Sequence, residues 1–127
     1  MQKLSVPNSE FEILAVIQTQ LEDYNRHDAD AFASHYHPQA EIFRLREGER
    51  LFAGRTAIRD AYAKLFVQAS PHAEIASRMV LGNFVIDSER IMVSNLTTLI
   101  EAVVIYEVQG SLILHVWIIN KPAGEGD

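Results

Sequence analysis

Near the end of this 127-residue chain His115 and Trp117 stand two positions apart in the apolar run Leu112–Ile119. Strand side chains alternate, so an extended backbone groups both rings with Ile113 and Ile119 on one side. An imidazole titrates near neutral pH and can take or deliver a proton during a reaction. An indole beside it offers a flat apolar wall for a ligand. The competing reading of His115 is a neutral ring hydrogen-bonded inside a core, the form that burial favours. Arg44, in the alternating stretch Ala40–Leu45, can hold a ligand anion or a developing oxyanion, or it can pair with Glu41, Glu47 or Glu101.

Other chemistries find less support. With no cysteine the chain has no disulfide, no thiol nucleophile and no zinc–thiolate site. His35 and His37 are two apart at an expected helix end, so they do not share a helical face, and no metal or other cofactor is expected. Gly82-Asn83 and Gln109-Gly110 read as turns and not phosphate loops, because neither precedes a helix. A formal charge of −6 argues against nucleic acid or an anionic membrane as partner. No apolar run approaches the roughly 20 residues of a membrane span, and the first residues lack the apolar core of a signal peptide, so a cytoplasmic location is expected.

The elements that must position these groups follow from periodicity. Ser9 and Glu12 have capping-box spacing, and Ile13, Ile17, Gln20, Leu21 and Tyr24 then fall on one helical face. Asp28 can cap a short second helix over about 29–36, ended by Pro38. A short strand over 40–45, a turn at 47–49 and a third helix capped by Thr56 come next, the helix burying Ile58, Ala61, Tyr62, Leu65, Phe66 and Ala69. From His72 the period changes to two or to short apolar runs: strands over 73–81 and 84–93, then the hairpin Ala102–Val108 and Leu112–Ile119. Helices followed by strands predict an α+β domain, three helices packed on a curved, mostly antiparallel sheet, with a core over about 9–120 and a loose tail over 121–127. The last two strands are apolar on both faces, more than three helices can cover, so association through the sheet is expected.

Several local signatures in this order resemble the nuclear transport factor two-like superfamily, and within it the SnoaL-like and ketosteroid-isomerase-like proteins. They are Tyr24-Asn25-Arg26-His27-Asp28, His35-Tyr36-His37-Pro38-Gln39-Ala40-Glu41-Ile42, Gly54-Arg55-Thr56-Ala57-Ile58-Arg59 and Tyr106-Glu107-Val108-Gln109-Gly110, with Trp117 completing the set. The resemblance implies a cystatin-like cone with one deep apolar pocket, and a homodimer through the outer face of the sheet, where Glu101 would lie. It also implies that the ketosteroid-isomerase base position falls on Arg44, the tyrosine position on Gln20 and the aspartic acid position on Val104. An arginine stays protonated and a valine has no proton to give, so the usual carboxylate mechanism is absent. The same overlay implies that His115, Trp117 and Ile119 join Gln20, Tyr24 and Val104 on the pocket wall. The expected function is binding of a small hydrophobic ligand, with His115 and Arg44 as catalytic groups in isomerisation, dehydration or hydrolysis. The alternative is a non-catalytic dimeric module.

Overall fold

The computed structural model describes residues 9–93 and 99–120; the expected tail over 121–127 lies outside them. Three helices, α1 (Glu10–Asn25), α2 (Ala29–Ser34) and α3 (Arg55–Ala69), cover one face of a six-stranded sheet. Its strands are β1 (Tyr36–Arg44), β2 (Glu49–Ala53), β3 (His72–Leu81), β4 (Phe84–Met92), β5 (Leu99–Gln109) and β6 (Leu112–Asn120). They lie in the order β2-β1-β6-β5-β4-β3, antiparallel throughout except for β1 against β6. The sheet is curved and does not close, since β2 and β3 are its edges. No helix among the described residues is long and apolar enough to cross a membrane.

Local chemistry explains most element ends. Ser9 and Glu12 form the reciprocal capping box that their spacing predicts, at 3.1 and 2.9 Å. Asp28 caps α2 by accepting from the Ala31 amide at 3.0 Å. The Asn25 carboxamide both donates to the Ala73 carbonyl and accepts from the Ala73 amide, at 3.0 and 2.8 Å, so it ties the end of α1 to the start of β3 as a strand neighbour would. Ile13 and Ile17 of α1 are fully buried against Ile58, Val85, Val108 and Ile113. Each such side chain contributes roughly 1.5–3 kcal/mol of burial.

Three boundaries differ from the sequence reading. The second helix stops at Ser34, and Pro38 lies inside β1 instead of ending a helix. The β1–β6 register shifts between Tyr36 and Glu41, so Pro38 sits where no ladder partner needs its missing N–H. The turn expected at 47–49 runs into β2, a half-exposed edge strand whose five residues are too few to show a period. Gly54 and not Thr56 caps α3, with φ 95° and no side-chain cap bond. A residue with a Cβ would be strained at that angle.

Candidate active site

Between the helices and the sheet lies a cavity of about 230 Å3. Gln20 and Tyr24 reach it from α1, Phe32 from α2, Tyr36 from β1, and Tyr62 and Leu65 from α3. Glu89 and Ile91 of β4, Ala102, Val104 and Tyr106 of β5, and Val116, Ile118 and Asn120 of β6 form the sheet wall. Register explains where space remains. Glu89 pairs across with Ala102, and Ala102 with Asn120, so one row of the concave face carries a carboxyl, a methyl and an amide. The small Ala102 side chain leaves the room that a larger residue would fill.

The helix wall is a packed aromatic cluster. The Phe32 ring lies 4.6 Å from Tyr62 and 5.1 Å from Tyr36, and Tyr24 meets Tyr62 edge-on at 6.2 Å. Tyr36 donates its hydroxyl to Gln20 Oε1 at 2.9 Å, and Gln20 Nε2 donates to the Ile17 carbonyl at 3.3 Å, which satisfies a buried amide at both ends. Burial pushes the hydroxyls of Tyr24, Tyr36 and Tyr106 well above their ordinary range and that of Tyr62 up to about 12, with the Glu89 charge adding to each. All four are therefore proton-bearing donors at neutral pH.

Glu89 is the group that distinguishes the cavity. It is only 6% exposed, and its Oε2 accepts from the Tyr106 hydroxyl at 3.2 Å. Removal from water raises its pKa to about 7, helped by the neighbouring Asp87 charge and opposed by the Tyr106 hydrogen bond and Arg78. Asp87, two residues earlier on the same side, is held differently. Arg78 Nε and Nη2 grip its two oxygens at 2.6 and 2.9 Å, while Arg78 Nη1 reaches Gln18 Oε1 at 3.0 Å. Two acids on one strand face thus have separate fates, one tied to a guanidinium and one facing an apolar cavity. A carboxyl that changes charge near neutral pH beside hydroxyl donors can accept a proton and return it.

Of the residues singled out in the sequence, Gln20, Tyr24 and Val104 line this cavity. His115, Trp117 and Ile119 do not: they project from the opposite face of the sheet, because Val116, Ile118 and Asn120 take the concave side of β6. On the outer face His115 Nδ1 meets Glu107 Oε1 at 2.7 Å and its Nε2 lies 3.5 Å from Glu41 Oε1. Trp117 stacks on Phe43 at 6.1 Å with an interplanar angle of 16°. Arg44 is half-exposed and sits 3.4 Å from Glu49, a carboxylate on the edge strand β2, instead of lining the cavity. His35 and His27 are engaged with Asp23 and the Pro71 carbonyl, at 2.7 and 2.8 Å.

Glu89, Tyr36, Tyr62 and Tyr106 are the site residues that the sequence reading passes over as site groups. One signal for Glu89 was available: in FVIDSERIM, Asp87 and Glu89 share a side with Val85 and Ile91, and two acids aligned with two apolar residues mark charge on a buried face.

The sequence profile of the SnoaL-like domain matches residues 17–116. Among solved structures, the chain is similar to a cystatin-fold protein from Novosphingobium aromaticivorans, with 23% identity over 84% of this chain and 97% of that one and a TM-score of 0.77. It is similar to a cystatin-like protein of unknown function from Methylobium petroleophilum, with 16% identity over 96% and 84% of the two chains and a TM-score of 0.82. An LEH-like epoxide hydrolase from M. tuberculosis shares 12% identity over 87% and 84%, with a TM-score of 0.76. No curated protein sequence matches the chain.

Proposed function

This chain belongs to the SnoaL-like domain family, and from that premise we propose that it is an acid–base enzyme acting on a small, mostly hydrophobic molecule in its cone cavity. Glu89 is the acid–base group. In its ionised form it removes a proton from carbon beside a carbonyl: the C–H bond breaks, an O–H bond forms on Glu89, and the electron pair moves to the carbonyl oxygen. Hydroxyl donors such as those of Tyr24 and Tyr62 stabilise that developing charge, and Glu89 then returns the proton. The observation that carries this reading is a carboxyl, 6% exposed, turned into an apolar cavity where its pKa rises to about 7. Gln20, Tyr24 and Val104 serve as ligand contacts.

Deuterium incorporation into a panel of small ketones in D2O tests the chemistry whatever the final product. The native protein is expected to accelerate exchange, and Glu89→Gln to lose roughly 10²–10⁴ of that rate. Exchange that persists in Glu89→Gln would remove the assignment.

A second reading concerns the outer face and does not depend on the first. Phe43, Trp117, Ile105, Ile86 and Met79 stand in register across five strands, with no helix among the described residues over them. That row supports a homodimer through the sheet. The open volume of the cavity favours ligand binding over a module plugged by its own side chains.

A further inference from the structure

We infer that the cavity selects compact molecules ending in a carbonyl or hydroxyl oxygen and turns organic anions away. This substrate class rests on the reading of Glu89 as the acid–base group, and three separate observations lead to it.

The first is charge. Among the described residues no lysine, arginine or histidine lines the cavity, whereas Glu89 does. The guanidinium that acts on Glu89, that of Arg78, is already held by both oxygens of Asp87 and by Gln18. A carboxylate or phosphate entering the cavity would therefore sit beside Glu89 without a counter-ion, in surroundings that screen repulsion poorly. The second is hydrogen-bonding sense. The Tyr24 and Tyr62 hydroxyls bring donors to this space, those of Tyr36 and Tyr106 being given to Gln20 and Glu89, and burial keeps their protons in place. Donors need an acceptor, which a carbonyl or hydroxyl oxygen supplies. The third is size. A volume of about 230 Å3 lies below the ~300–1,000 Å3 of pockets for drug-sized ligands and holds about eight water-sized groups. A single ring or a short chain fits; a fused polycycle overfills it.

Benzamide and benzoate are nearly matched in size and differ in charge. Ligand-observed NMR titration of each into the full chain at about pH 8, with Glu89 ionised, measures the selection directly. Benzamide is expected to bind at least about tenfold more tightly than benzoate. In Glu89→Gln, with its fold checked by amide NMR, benzoate is expected to bind at least about tenfold more tightly than it binds the native protein, because the repulsion is gone. Benzoate matching benzamide in the native protein would overturn the proposal, as would no benzamide binding up to about 10 mM. Benzoate affinity unchanged between the native protein and Glu89→Gln would overturn the assignment of the exclusion to that carboxyl. Binding alone reads this selection, so equal benzoate binding defeats it while deuterium exchange stands. Silent exchange defeats the acid–base reading while the selectivity stands.

Discussion

At the scale of single residues, Glu89 couples chemistry to stability. Its carboxyl titrates near 7 in the folded protein and near the ordinary 4.5 when unfolded. Between those values the folded state binds more protons, so stability falls as pH rises from about 4.5 to about 7 and levels off above. The stabilisation is complete at acid pH, and roughly 2–3 kcal/mol of it is lost by neutral pH. Asp87 and Arg78 bear on the same group from β4 and β3 and pull in opposite directions. Urea unfolding of the native protein and Glu89→Gln, at about pH 5 and about pH 8, isolates this contribution. The native protein should lose about 2–3 kcal/mol more than the variant across that range. Parallel pH dependence in the two proteins would contradict the burial account.

At the scale of elements, the cavity exists because α1 is fastened at both ends. Its capping box closes the N-terminus, and Asn25 clips the other end to β3. Asn25→Ala removes two hydrogen bonds and leaves the Ala73 backbone without those partners, a loss expected to cost about 1–3 kcal/mol. Because Tyr24 precedes Asn25 and lines the cavity, the same variant should also accelerate amide hydrogen exchange at the start of β3. Unchanged exchange at Ala73 would show that packing alone holds this joint. The element most exposed to misreading is β6. Its alternation groups His115, Trp117 and Ile119 correctly on one side, and the hairpin with β5 forms where its apolar runs and Gly110 predict. A register shift between Glu107 and Val108, however, parts Ile113 from that group and buries it in the core instead. Both sides of β6 are apolar, however, and alternation does not say which side becomes concave.

At the scale of the whole molecule, three helices cover one face of a six-stranded sheet, and no helix among the described residues covers the row from Phe43 to Met79 on the other. Two copies meeting through that face would bury Trp117 and Phe43 and bring His115 with its Glu107 and Glu41 partners near the rim. Sedimentation at micromolar concentration is expected to give a dimer, and Trp117→Glu a monomer with its cavity intact. A native monomer at that concentration would dismiss the association. The sequence by itself determined the kinds and order of the major elements, because caps, turns and periodicity act over a few neighbouring residues. It also placed Gln20 and Tyr24 together on the buried face of α1. Which side of β6 faces the helices, that Arg44 meets Glu49, and that Glu89 meets the Tyr106 hydroxyl while Asp87 finds Arg78 were decided only by tertiary packing. Those outcomes depend on strand order, curvature and contacts between residues far apart in the chain. No local pattern encodes the side of a sheet onto which a helix will settle when both sides are apolar.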